Sequence, residues 1–214
     1  SIFIVLSAVV IAVAIRLYLP TARAKKKGLQ FRDIPLLLID DYDACNAAIT
    51  EFLSCNPRVI GMDCEWKPYF DAKDEQTNTV SLIQLAHHKQ CVLLRIQKIM
   101  HDNNGAIPLQ LIGLLSNPRV IKTGLNLTGD ARKLYQDYRL SLRGTVELTH
   151  LIKEKCCFYH SIDADQHNIQ RLDQLSSLLL QVEMHKCKQI TLSNWENAQL
   201  TQPQIEYAAA ASIE

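Results

Sequence analysis

The sequence lacks a paired-cysteine motif. Its seven cysteines are scattered, odd in number and mostly within apolar segments, and no two of them form a CxxC pair. This usage is typical of a reducing compartment and argues against a disulfide framework. The cysteines and histidines near the C-terminus also lack the spacing of a closed tetrahedral zinc site.

The sequence also lacks a broad excess of basic residues. The net charge is +1, and residues 1–28 hold five of the 23 basic residues and no acidic one. The rest of the chain therefore carries 18 basic and 22 acidic residues. A high-affinity duplex-binding surface is excluded, so any contact with nucleic acid must be local. There is no internal repeat and no low-complexity segment, and 214 residues suffice for one globular domain with a short appendage.

One long apolar run is present, at the N-terminus. Ile2 to Ile15 is apolar apart from Ser7, and the run reaches Leu19. Its length is near the lower limit for a bilayer-spanning helix, and its positive charges follow it, unlike those of a secretory signal. We therefore predict a transmembrane anchor over 1–19, a basic juxtamembrane linker over 20–33 and a domain over 34–214 facing the cytosol. The mitochondrial outer membrane is favoured; other cytosol-facing membranes or the nucleus are alternatives.

Hydrophobic periodicity and turn residues predict an α/β domain with a mixed central sheet flanked by helices. The predicted strands cover 34–39, 58–66, 79–86, 90–96 and 119–123. The predicted helices cover 42–55, 107–116, 127–138, 146–155, 172–182 and 202 to the end.

Two acids interrupt the second strand. Asp63 and Glu65 are two residues apart, so they project from the same face. Adjacent carboxylates on a core strand repel one another unless a cation lies between them. The alternative is an acidic strand end that reaches solvent.

Two further stretches complete a pattern. Asn126 and Asp130 follow the Arg119–Thr123 strand and open a helix, and Tyr207 lies among alanines on the last helix. Together with Asp63-Cys64-Glu65, these ordered motifs resemble the four-carboxylate (DEDD) 3′-5′ exonuclease superfamily, in its RNase D-like, tyrosine-containing branch. The resemblance covers roughly residue 34 to the C-terminus.

The resemblance implies an RNase H-like fold and hydrolysis of 3′-terminal phosphodiesters with two Mg²⁺ or Mn²⁺ ions. It implies that Asp63 is shared by both metals, that Glu65 serves the water-activating metal and that Asp130 serves the leaving-group metal. Tyr207 is implied as the residue that orients the attacking water. Nucleic acid 3′ ends, of single-stranded DNA or RNA, are the implied substrate, and a homodimer is a further expectation.

One motif position departs from the family. The residue four positions after Tyr207 should be a metal-binding Asp, and it is Ala211. We therefore expect impaired turnover. The chain ends three residues later, inside a predicted helix, so we also expect a domain that is truncated at the C-terminus.

Several residues are candidates for substrate contact. They are Trp66, which can stack on a base, and Asn126, Lys67, Arg132 and Lys133, which lie next to the motifs. Solvated surface charges and a core tryptophan are the alternatives. Two other functions stay open beside the exonuclease: a pseudonuclease that binds nucleic acid ends or a protein partner, and a structural membrane adaptor, which leaves the two acids unexplained.

Overall fold

The computed structural model describes residues 34–68, 78–150 and 188–213. The predicted anchor, the linker and the helix over 172–182 lie outside these residues. In the described ranges no helix has the length and apolar character needed to cross a bilayer.

Six strands and six helices make up the described ranges, besides a helical turn at 148–150. In chain order they are β1 (Leu36–Ile39), α1 (Tyr42–Ser54), β2 (Val59–Trp66), β3 (Val80–His87), β4 (Gln90–Leu94), α2 (Ile96–Asp102), α3 (Leu109–Ser116), β5 (Ile121–Gly124), α4 (Leu127–Tyr138), β6 (Thr145–Glu147), α5 (Lys188–Thr191) and α6 (Gln202–Ile213).

The strands form one mixed sheet in the order β1-β4-β3-β2-β5-β6. The β2–β3–β4 meander is antiparallel, whereas β1 joins β4, β5 joins β2 and β6 joins β5 in parallel. The mixed α/β sheet expected from the sequence is thereby confirmed. Strand β2, which carries the two acids, lies in the interior of the sheet and is paired on both sides.

Helices cover both faces of the sheet. On one face, side chains of α1, α3 and α4 pack against alternate residues of the strands, among them Ile60, Met62 and Cys64 of β2. On the other face, Ala208 of α6 and Trp195, which precedes that helix, pack against Leu82 and Leu93. Because side chains alternate along a strand, Gly61, Asp63 and Glu65 point to the α6 face.

Lys122 ties β5 to the helix that precedes it. The side chain is fully buried, and its ammonium donates to the carbonyl oxygens of Leu114, Asn117 and Val120 at 3.2, 2.8 and 2.9 Å. Two of these carbonyl groups, those of Leu114 and Asn117, lie at the C-terminal end of α3, where helix carbonyls lack the usual partners, and the third lies just before β5. The start of β5, and hence the path to Asp130, is fixed in this way.

Two elements differ from the expectation. The predicted strand over 90–96 ends at Leu94, and helix α2 follows at once, with Ile96 and Ile99 buried. Its apolar residues continue those of the strand, so periodicity alone does not separate the two. Residues from 145 were predicted to be helical, but Thr145–Glu147 is a strand. It is only three residues long and is defined by pairing with β5, a contact that local sequence does not encode.

Candidate active site

Asp63 and Glu65 lie side by side on the α6 face of β2. Glu65 is buried, with 9% of its surface exposed, and Asp63 is half-buried. Asp63 Oδ1 accepts a hydrogen bond from the backbone N–H of Cys64 at 2.9 Å. The strand face therefore holds two carboxylates with little access to water.

Asp130, in the first turn of α4, adds a third carboxylate within electrostatic reach of Asp63. The side chain is buried, with 4% exposed, and its Oδ2 has no hydrogen-bond partner among the described residues. Burial, and then the charges of Asp63 and Glu147, raise the pKa of Asp130 from 3.8 to about 8. A buried acceptor without a partner costs about 1–3 kcal/mol, so stability does not explain the position of this oxygen.

The start of α4 is held by a carboxylate from β6. Glu147 accepts from the backbone N–H groups of Asn126, at 2.6 Å, and of Leu127, at 3.0 Å. Asn126 itself has a left-handed backbone, with φ 61°, and its side chain lies so close to Gly129 that a Cβ there would be 2.6 Å from Nδ2. Asn126 thus shapes the turn that presents Asp130.

The last helix approaches the sheet through small residues. A Cβ at position 61 would lie 1.9 Å from the Ser212 carbonyl oxygen, so only glycine fits on β2 at this point. Ala208 and Ala211 of the same helix are buried. The small residues of α6 therefore allow the helix to pack closely on the sheet.

Tyr207 is anchored by groups that precede α6. Its hydroxyl oxygen accepts from Thr191 Oγ1 at 3.1 Å, and its ring is tilted at 42° to that of Trp195, with centroids 6.1 Å apart. Ala211 lies one helical turn further, so both residues occupy one stripe of α6. The alanine methyl cannot bind a cation. Glu206 is exposed and accepts from Gln202, so it does not replace the missing acid.

The predicted substrate residues lie in different settings. Lys133 is held by the Asn78 carbonyl oxygen and by Asp137, at 2.5 and 2.6 Å, and lies 5.9 Å from the centre of the Trp66 ring. Trp66 is half-buried and packs on the main core. The Lys133 ammonium is therefore occupied by structural bonds, whereas Lys67 is half-buried and Arg132 is exposed. Their roles in substrate contact stay predictions.

The carboxylates fit a hard divalent cation by their chemistry. All donors are oxygens, which Mg²⁺ and Mn²⁺ prefer, and one of them is a buried oxygen without a partner. Across the described ranges, however, no three His, Cys, Asp or Glu side chains form a preformed metal-binding group. Like charges repel, which opposes a closer approach of these acids in the absence of a cation.

Three polar residues around the site were missed by the sequence analysis. They are Glu147, which caps α4, and Gln84 and Thr123, which are buried beside β2 with partnerless polar atoms in the described structure. Gln84 interrupts the apolar run of β3, and this is a signal that could have drawn attention to it. The sequence gives no comparable signal for Glu147 and Thr123, because their proximity to the site depends on which strands pair.

A mixed sheet with paired acids on an inner strand, a third acid from the next helix and a tyrosine on the last helix defines a 3′-5′ exonuclease domain. The family model for 3′-5′ exonucleases matches residues 37–210. The chain therefore belongs to this family of phosphodiester hydrolases, and the expected family is confirmed.

Two curated relatives illustrate the similarity. The chain is 30% identical over 195 residues to exonuclease 3′-5′ domain-containing protein 2 of Homo sapiens, covering 89% of this chain and 29% of that protein. It is 31% identical over 150 residues to a 3′-5′ exonuclease of Arabidopsis thaliana, covering 70% of this chain and 47% of that protein. The chain thus spans less than half the length of either relative.

Solved structures share the fold. The Nibbler EXO domain of Aedes aegypti matches with a TM-score of 0.65 at 21% identity, covering 91% of this chain and 86% of that one. The catalytic core of RRP6 from Trypanosoma brucei matches with a TM-score of 0.66 at 16% identity, covering 89% and 46%. At these identities the likeness concerns the fold alone.

Proposed function

We propose that this chain is a divalent-metal-dependent 3′-5′ exonuclease acting on single-stranded nucleic acid ends, with turnover impaired by Ala211. One observation carries the proposal: the buried Asp130 lies within electrostatic reach of Asp63, its Oδ2 lacks a partner in the described structure, and its pKa is raised to about 8. Such an arrangement is unfavourable for folding and is useful once a cation binds.

Each residue of the site has a separate role in the proposed reaction. Asp63, Glu65 and Asp130 would hold the ions: Asp63 and Glu65 lie on the α6 face of β2, and Asp130, from the first turn of α4, lies within electrostatic reach of Asp63. Bound Mg²⁺ or Mn²⁺ supplies positive charge for the phosphate and lowers the pKa of an attacking water. The hydroxyl group of Tyr207, whose orientation is fixed by Thr191, orients that water. The buried strand face excludes bulk water around the carboxylates, which strengthens each of these interactions.

A 5′-labelled single strand tests the proposal. With Mn²⁺ we expect slow, stepwise shortening of DNA or RNA from a free 3′-hydroxyl, no shortening of a 3′-blocked strand and none with EDTA. Asp63→Ala should abolish the reaction, because it removes the acid assigned to both metals. Undiminished cleavage by Asp63→Ala would place the active site elsewhere.

Ala211 favours a second candidate, a pseudonuclease that binds ends without cutting them. Its signature is equal binding of a 3′-ended strand by the wild type and by Asp63→Ala, with no product from either. The retained acids at three motif positions favour the exonuclease, since a binding module has no need of a buried carboxylate such as Asp130, whose Oδ2 lacks a partner in the described structure.

The apolar segment 1–19 supports a second part of the proposal: the chain is held at a membrane with its domain towards the cytosol. The basic residues that follow the segment favour this orientation. The mitochondrial outer membrane suits a short, moderately apolar anchor. A homodimer stays a prediction.

A further inference from the structure

Gln84 is a polar residue at the centre of β3 that packing does not explain. Its side chain is fully buried, and neither its Nε2 nor its Oε1 has a hydrogen-bond partner within the described ranges. Buried amides are nearly always paired, and a leucine or methionine would fill the same volume without the polar cost. The residue therefore calls for a reason other than stability.

The position of Gln84 points to the carboxylates. In the antiparallel ladder it lies directly opposite Asp63, and its neighbours along the same face, Leu82 and Ala86, belong to the cluster under α6. Opposite residues on one face of such a ladder have Cβ atoms about 4.5–5.5 Å apart. A glutamine amide spans that gap by a change of rotamer.

The buried polar atoms without a hydrogen-bond partner are grouped around β2 in the described structure. In the described part of the chain they belong to three side chains only: Gln84, Thr123 and Asp130. Gln84 is on the strand to one side of β2. Thr123 is on the strand to the other side, in register with Gly61. Asp130, at the start of α4, lies within electrostatic reach of Asp63. The unsatisfied groups thus surround the strand that carries the two acids.

We propose that Gln84 is a positioning residue for Asp63, an inference that rests on the proposed function. Its amide N–H donates to the Asp63 carboxylate, directly or through one water molecule. The Cys64 N–H already holds Oδ1 of that carboxylate, so a second donor from the sheet side fixes its plane and leaves the outer lone pairs towards Asp130. A neutral amide does this without bringing a positive charge that would compete with the cation.

The contact itself can be tested without metal. In the metal-free, ¹⁵N-labelled full chain, the Gln84 side-chain NH₂ resonance is assigned by its loss in Gln84→Met. We expect its protons to exchange slowly and its shift to change in Asp63→Asn. Fast exchange with no response to Asp63→Asn would overturn the proposal.

The consequence is tested by Mn²⁺ affinity, measured by electron paramagnetic resonance, alongside the metal-free melting temperature. We expect Gln84→Met to weaken Mn²⁺ binding about tenfold while the melting temperature stays equal or rises. Gln84→Leu serves as a second variant of different shape. Gln90→Met, at a buried glutamine near the turn of the same hairpin, is the matched control and should leave Mn²⁺ affinity unchanged.

The outcomes separate the two proposals. Unchanged Mn²⁺ affinity in Gln84→Met with a raised melting temperature would make Gln84 an ordinary core residue. Equal losses in the Gln84 and Gln90 variants would also overturn its role, as a general loss of structure. A wild type that binds Mn²⁺ no better than Asp63→Asn would instead contradict the metal-dependent function, while the resonance of Gln84 still decides the contact.

Discussion

At the scale of single residues, the site is built from side chains that the fold alone would not select. Asp130 is a buried acid with a partnerless oxygen in the described structure. At position 61 only glycine fits, because any side chain would clash with the backbone of α6 at Ser212. Each feature lowers the tolerance of the fold to change. Each also brings a carboxylate or the last helix close to β2.

The pH dependence of stability should report the burial of Asp130. Its pKa is near 3.8 in the unfolded chain and about 8 in the folded one, so between these values the folded state alone holds a proton. Stability of the metal-free protein should therefore fall as pH rises through this window. Asp130→Asn should reduce the fall, by on the order of 1–3 kcal/mol between pH 5 and pH 8, measured by urea unfolding in the presence of a chelator.

Glu51→Gln, which changes an exposed acid on α1, is the control and should follow the wild-type curve. Parallel curves for the wild type and Asp130→Asn would contradict the assigned burial.

The residues differ in how far sequence predicts them. Asp63 and Glu65 stand out because alternation on a strand places both on one face, whereas Asp130 and Tyr207 were predicted through the resemblance to the family's motifs. Gln84 and Thr123 were not predicted, since their importance depends on which strands pair with β2. The engagement of Lys133 by Asp137 across one helical turn could have been anticipated from the i, i+4 spacing.

At the scale of elements, the start of α4 is the feature on which Asp130 depends. The helix has no side-chain cap of its own, and Glu147 of β6 accepts from its first N–H groups instead. The negative charge of Glu147 also compensates the positive, N-terminal end of the helix dipole. Strand β6 was not predicted from the local sequence, yet its Glu147 orders the turn at Asn126, which the motif did predict.

Loss of this cap should cost stability and metal binding together. Glu147→Ala leaves the N–H groups of Asn126 and Leu127 without an acceptor, so we expect a loss of about 1–2 kcal/mol in urea unfolding and weaker Mn²⁺ binding. Asp41→Ala removes the cap of α1, where Asp41 accepts from the Ala44 N–H at 2.8 Å, far from the carboxylates in the chain. This matched variant should lose similar stability and keep its Mn²⁺ affinity. Equal Mn²⁺ affinity in both variants would show that Glu147 does not support the site.

At the scale of the whole molecule, the fold was predictable because the first five strands and four of the six described helices carry their own apolar pattern. The order of the strands was not, since β1 and β6 join the sheet by parallel pairing over long sequence separations. Charge is also divided along the chain. Residues 1–28 carry five basic residues, and the remainder has an excess of acids.

This division supports a prediction about localisation. We expect the full chain to sediment with membranes in detergent-free fractionation and a version that begins at Gly28 to stay in the supernatant, because the apolar segment supplies the binding energy. A carbonate wash is the control for peripheral attachment through the basic residues. If both chains are equally soluble, the proposed anchor is wrong.

Position 211 tests the central claim most directly. The measurement is the rate of Mn²⁺-dependent shortening of a 3′-ended single strand by the wild type, by Ala211→Asp and by Ala211→Asn, which has a similar size but no charge. We predict that Ala211→Asp is faster than the wild type by on the order of a hundredfold, because it restores an acid on the stripe of Tyr207, and that Ala211→Asn is not. Equal rates for the wild type and Ala211→Asp would contradict the assignment of this site as a metal-dependent exonuclease centre that lacks one ligand.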